Sequence, residues 1–257
     1  MGRRPQRDVQ LILWAATGAA LGAIVGSYVA TLVLRWPRGI GASAGRSHCD
    51  GCAQALGPAE LVPILSYLVL RGRCRRCATA IDLRQPAIEA AAAAIGLVAF
   101  LVAPGPQGLL AAAFGWVLLT LAMLDLGHFW LPDRLTGLLA AGGLIAGVAG
   151  WTPPPLPARL LGGLIGYGVL AGLAWLYRRL RGREGLGAGD AKLLGAIGLW
   201  TGWAALPFVL LGASAAGLIA AGLGALAGRR IDGATPLPFG TCLAAAAWPA
   251  WVFAVLR

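Results

Sequence analysis

The fold class the sequence predicts is all-α: a polytopic transmembrane helical bundle of about eight spans, with one small cysteine-rich loop domain set into it. Three observations carry this reading. Hydrophobic residues make up 58% of the 257 and charged residues 12%, and the mean hydropathy is +0.75, more apolar than a soluble domain of this size tolerates. The apolar residues fall into eight runs, at 11–34, 87–103, 108–125, 135–150, 159–177, 190–205, 207–227 and 239–256, near the length that crosses a hydrocarbon core. The basic residues lie between alternate runs, as the orientation rule for membrane proteins requires.

With the N-terminus outside, the inner segments hold Arg35, Arg38, Arg46, Arg71, Arg73, Arg75, Arg76, Arg84, Arg134, Arg178, Arg179, Arg181, Arg183, Lys192, Arg229 and Arg230. The outer segments hold only Arg3, Arg4, Arg7, Arg159 and Arg257. This bias puts the long first loop in the cytoplasm, although the three N-terminal arginines oppose it. The net charge of +11 is thus laid out by membrane sidedness and gives no nucleic-acid footprint.

The chain divides into a first span (1–34), a loop domain (35–86) and a bundle (87–257). The first run is too long for a signal peptide, and no small-residue cleavage site precedes a soluble domain. The loop domain carries Cys49-x2-Cys52 and Cys74-x2-Cys77. Two such knuckles supply four thiolates, enough to close a tetrahedral zinc site in a loop too small to fold on its own core. Disulfides are the competing reading, and the cytoplasmic placement argues against them. His48 stands outside a shell that four sulfurs already fill. Between the knuckles, Ala59 to Arg73 is too short to span and reads as an amphipathic piece against the membrane surface. Glu89, just inside the next span, either snorkels or pairs with a loop arginine. The outer returns at 103–108 and 150–159 are rich in proline and glycine. Small residues at spacing four recur too often to name one helix interface. Cys242 reads as a small core residue.

Two carboxylates carry the chemistry. Asp190 ends the tetrad Gly187-Ala188-Gly189-Asp190 at the mouth of an apolar helix, and Asp125 closes the third apolar run. Ionisable groups at the membrane edge are costly and mark functional sites when a partner can be named. Among 39 glycines a lone Gly-x-Gly-Asp tetrad is weak, and Asp190 also suits an N-cap. The second carboxylate at the same depth favours the functional reading. Asp133 is an alternative partner, but it lies past Pro132 in a wetter place and suits an N-cap of the fourth span. Two close carboxylates share a proton, so one can take a proton from water while the other donates to a scissile carbonyl. The glycines before Asp190 leave room for an extended substrate backbone.

In six ordered motifs, GSYVATLVLRWP, RSHCDGC with LVPILSYLVLRGRCRRC, RQPAIE, LDLGHFWLPDRLT, GAGDAKLLGAIGLWTG and LPFGTCLA, the chain resembles the type IV prepilin peptidases, GxGD intramembrane aspartyl proteases of the bacterial inner membrane. The resemblance covers nearly the whole chain. It implies that Asp125 and Asp190 are catalytic, with Gly187, Gly189, Lys192 and Asp133 supporting the motifs, and that Cys49, Cys52, Cys74 and Cys77 form the cytoplasmic cysteine site. It also implies cleavage of the leaders of prepilins or pseudopilins on the cytoplasmic side of the lipid bilayer. Many members then methylate the new N-terminus with S-adenosylmethionine. Ala30 stands where the family usually has Asn, and Asp50 where it usually has Pro; both departures fall in the half linked with methyl transfer. A presenilin-like or signal-peptide-peptidase-like protease shares the dyad but leaves the cysteine loop unexplained. A transporter or assembly scaffold would use the carboxylates to move protons or cations.

Overall fold

The computed structural model describes residues 3–41, 45–183, 185–228 and 236–255. All regular structure among them is helical: α1 (Arg3–Arg35), α2 (Leu65–Val69), α3 (Arg84–Val102), α4 (Pro106–His128), α5 (Asp133–Val148), α6 (Leu156–Arg181), α7 (Ala188–Thr201), α8 (Leu206–Leu226) and α9 (Phe239–Val255). Except for the five-residue α2, each covers one predicted apolar run. Five of them, α1, α3, α4, α6 and α8, are long and apolar enough to cross a membrane. The other three are shorter: 16 residues in α5, 14 in α7 and 17 in α9. Arg229, Arg230 and Arg257, used above for sidedness, lie outside the described residues.

Two compact units divide the chain, Met1–Leu119 and Thr120–Arg257, with the division falling inside α4. In the first, α1 packs along α3 through small residues. A Cβ on Gly18 would collide with the Gly96 carbonyl, and one on Gly22 would collide with the Ala92 carbonyl. On Gly26 it would stand 2.8 Å from the Glu89 Cα. Backbones in such contact gain dispersion without any side chain between them, the usual route to helix association in lipid. Trp116 adds a buried indole hydrogen bond to the Ala92 carbonyl at 2.9 Å.

In the second unit α7 is central and packs against α5, α6 and α9. Ten of its residues are buried, from Asp190 to Thr201. Glycines again set the approach: a Cβ on Gly198 would strike the Gly162 backbone, and one on Gly166 would lie 2.6 Å from the Leu194 carbonyl. The outer faces of α6 and α8 expose Leu160, Leu164, Leu173, Phe208, Leu211, Leu218 and Leu223. An apolar exterior around a packed interior suits lipid as the solvent.

Helix ends obey local chemistry. α6 ends on Arg178, Arg179 and Arg181 and is closed by Gly182 at φ +66°, so cations meet the negative end of its dipole and glycine takes the left-handed turn. Asp82 receives the Arg84 backbone N–H at 2.9 Å and pairs with its guanidinium at 2.6 Å, opening α3. The arginine hydrogen bonds hold the Asp82 carboxyl below its usual range.

Candidate functional site

In the second unit the helix ends that hold the predicted carboxylates converge. Asp125 lies in the last turn of α4 and Asp190 in the first turn of α7, and both are buried. Asp190 lies close enough to feel the Asp125 charge, and Cys242 on α9 feels both. The N-cap of α7 is Gly187, with Asp190 three residues on, so Asp190 is not the cap. A Cβ on Gly187 would stand 3.2 Å from the Asp190 Oδ2.

Asp133 and Lys192 come together on the open side: Nζ and Oδ1 are 2.6 Å apart, with the Asp133 side chain 74% exposed. Asp133 is the first residue of α5 rather than its N-cap, which is Pro132. Its carboxylate is spent on Lys192, where an exposed pair contributes at most about 1 kcal/mol. The room expected beside Gly189 is filled: a Cβ there would meet Leu131 at 3.1 Å.

Sequence reasoning missed three residues around Asp125. Thr241, in the first turn of α9, donates its backbone N–H to the Asp125 Oδ2 at 2.7 Å, and its hydroxyl lies 3.0 Å from the same oxygen. Gly240 makes this possible, because a Cβ there would stand 3.1 Å from Oδ2 and 2.8 Å from Leu131. Leu131 therefore packs against both Gly189 and Gly240, beside the two acids. The one sequence signal was a Gly-Thr pair opening an otherwise apolar helix.

The first unit holds the cysteine cluster. The Sγ atoms of Cys49, Cys52, Cys74 and Cys77 all lie within 4.8 Å of one another and could hold a metal ion. Cys49 and Cys77 are 3.7 Å apart, close to the ~3.8 Å edge of a tetrahedron with metal–sulfur bonds of about 2.3 Å. All five cysteines of the chain are free thiols. The two knuckles are near copies. Cys49 N–H binds the Gln54 carbonyl and Cys74 N–H the Thr79 carbonyl, while Ala53 and Ala78 take φ +55° and +56°. His48 pairs with Ala55 and Arg73 with Ala80 as single bridges. This repeat, CxxCAxA, is visible in the sequence but was not expected. Hydrogen bonds from Thr79 bring the Cys77 thiol down to about 6. For Cys52 the Gln54 backbone pulls downward, yet desolvation and the neighbouring sulfurs push the thiol up to about 11. A bound cation would replace that last proton, so metal affinity falls in acid. His48 turns to the Arg46 carbonyl and is not one of the clustered ligands.

Glu89 does not snorkel, and among the described residues it pairs with no arginine. It is 3% exposed, and its Oε2 accepts the Ile64 N–H at 2.6 Å. Ile64 has φ +62° and ψ −50°, and Leu65 N–H binds the Pro63 carbonyl at 2.6 Å, which is the strained γ-turn. The buried carboxylate thus holds a bend that the chain would otherwise release. Beyond it, Leu61, Val62, Leu65, Leu68 and Val69 are exposed, as an amphipathic surface piece requires. A cavity between this bend, the knuckles and the facing ends of α1 and α3 is lined by Ser27, Thr31, Asp50, Glu60, Tyr67 and Glu89 among others.

Comparison with known proteins covers both units. Residues 20–103 match the Bacterial Peptidase A24 N-terminal domain, and residues 112–222 match the Type IV leader peptidase family. The chain is 43% identical over 204 residues to the Prepilin leader peptidase/N-methyltransferase of Aeromonas salmonicida (strain A449), covering 79% of this chain and 69% of that protein. Against the protein of the same name from Burkholderia pseudomallei (strain K96243), identity is 41% over 257 residues, covering 90% and 82%. Against the Type 4 prepilin-like proteins leader peptide-processing enzyme of Escherichia coli O78:H11, it is 36% over 242 residues, covering 86% and 87%. No solved structure matches significantly.

Proposed function

The chain belongs to the type IV leader peptidase family, and from that premise we propose that it removes prepilin or pseudopilin leaders with Asp125 and Asp190 as the catalytic pair. The observation that carries this reading is the placement of two buried carboxylates at converging helix ends, both beside Leu131, with Asp190 within reach of the Asp125 charge. Sharing one proton, the pair lets one aspartate take a proton from water while the other donates to the carbonyl oxygen of the scissile peptide. A substrate strand entering beside Gly189 and Gly240 displaces Leu131 from the space it fills. The decisive experiment incubates purified protein with a prepilin and S-adenosylmethionine and weighs the product. Loss of the leader mass supports the peptidase, and an added methyl supports the second activity. An unchanged substrate mass overturns the reading in favour of a transporter or scaffold.

The cysteine site is read as structural zinc, since four thiolates leave no open position for water. Purified protein is expected to hold about one equivalent of zinc, lost when Cys49 and Cys74 are both changed to Ser. Protein free of metal, with disulfides in its place, would refute this.

For methyl transfer, the cavity in the first unit fits a sulfonium donor. It offers the carboxylates of Asp50, Glu60 and Glu89 toward positive charge, and the hydroxyls of Ser27, Thr31 and Tyr67 toward a ribose. S-adenosylmethionine would supply the methyl group. Asp50, one of the two departures from the family pattern, lines this cavity, whereas Ala30, the other, is wholly buried.

The site is read as lying at the cytoplasmic face of the inner membrane, on the charge asymmetry. Reporter fusions within 45–80 and near 183 and 230 are expected to report cytoplasm, and fusions near 105 and 155 the outside. An external signal from the cysteine loop would reverse the orientation.

A further inference from the structure

We infer that Thr241 is a positioning residue for the reaction, holding one oxygen of Asp125 so that the other faces the shared proton. The inference rests on the dyad reading above. Both polar groups of Thr241 point to Asp125 Oδ2, the N–H at 2.7 Å and the hydroxyl at 3.0 Å. The N–H belongs to the first turn of α9, where backbone donors have no partner within the helix and favour a negative charge. Asp125 itself sits in the last turn of α4, the end that disfavours a carboxylate, so α9 supplies what α4 withholds. With Oδ2 engaged, Oδ1 is the oxygen left to exchange protons with water and Asp190.

The hydroxyl has a second partner. Oγ1 is 2.9 Å from the Ala122 carbonyl, which can only accept, and a threonine has one proton to give. When Asp125 is ionised, the O–H turns to Oδ2. When Oδ1 carries the proton, the neutral Oδ2 is the weaker acceptor and the O–H turns to Ala122. In both charge states the hydroxyl proton thus keeps an acceptor, and the swing moves no heavy atom. A backbone N–H cannot do this, so the hydroxyl is the part that follows the proton.

The test compares Thr241→Val, which keeps the N–H and the shape but removes the hydroxyl, with Thr241→Ser, which keeps both donors. Prepilin cleavage is followed in detergent across pH, with thermal melting as a check on folding. For Val, kcat is expected to fall roughly 10-fold with KM unchanged, and the acid limb of the kcat profile to move to higher pH by about one unit, the effect of one lost charge-assisted hydrogen bond. Ser is expected to recover most of both. A Val protein that melts like the parent and keeps its kcat and pH profile overturns this inference while leaving the dyad standing, provided Asp125→Asn is inactive in the same assay. Val and Ser proteins equally slow, with profiles unmoved, reduce Thr241 to a packing residue and also overturn it. An active Asp125→Asn protein defeats the dyad reading itself.

Discussion

Asparagine at either Asp125 or Asp190 is expected to lower leader cleavage by about 10⁴-fold or more, the scale of losing both acid and base roles of a coupled pair. The amide keeps the shape of the carboxyl but can neither accept a proton from water nor hand one on. Both variants are expected to fold, because each removes a buried charge and with it a desolvation cost. Asp125→Asn also keeps an oxygen for the Thr241 N–H. Asp133→Asn is the control. It breaks an exposed pair with Lys192, worth at most about 1 kcal/mol, and should cost activity a few-fold at most. The readout is intact mass of the prepilin product against time, with variants matched for membrane insertion. Undiminished processing by an inserted Asp190→Asn protein would end the assignment. A dead Asp133→Asn beside an active Asp125→Asn would move the first aspartate instead.

The second large effect lies at the far end of α7. Arg159 is fully buried and spends its guanidinium on carbonyls. Nε reaches Pro154 at 2.7 Å, Nη1 reaches Gly143 and Leu199 at 3.1 Å, and Nη2 reaches Thr152 at 2.8 Å and Pro153 at 3.0 Å. It also binds the Thr152 hydroxyl at 2.8 Å. One planar fork thus joins α5, the return before α6 and the C-terminal end of α7, where helix carbonyls lack partners of their own. Arg159→Met would orphan several of these at about 1–3 kcal/mol each. A fall in detergent melting temperature of about 10 °C is expected for a protein of this size. Arg159→Lys should recover little, since a point charge cannot reproduce the fork. A Met variant melting within about 2 °C of the parent would show that the clamp does not hold α7.

Arg159 marks where the sequence stopped being readable. It was counted as an outer-face charge, and nothing local distinguishes an arginine in a loop from one folded back beneath it. The spans were legible because an apolar run is a one-dimensional signal. The cysteine cluster was legible because spacing within each knuckle fixes the geometry. The two aspartates stood out because charge in an apolar chain is rare. Thr241 is 116 positions from Asp125, and a threonine in a helix is unremarkable, so only packing could reveal it. Glycine spacing failed for a related reason. Gly162 and Gly166 lie on the buried face of α6, whereas Gly168 and Gly172 face open space. Only the rotation of the helix about its axis, set by its neighbours, separates the two pairs.

The brevity of α7 has a consequence for the membrane around the protein. Fourteen residues rise about 21 Å, well short of a hydrocarbon core of about 30 Å. A lone helix of that length would pinch the bilayer, but α7 is walled by α5, α6 and α9 and meets protein instead of acyl chains. Hydrophobic mismatch is thereby moved away from the helix that bears Asp190 and onto its longer neighbours, which can tilt to absorb it. On the proposed dyad reading, the depth of the reaction plane is set by the length of an internal helix, and membranes of different thickness meet the same two carboxylates at the same place in the fold.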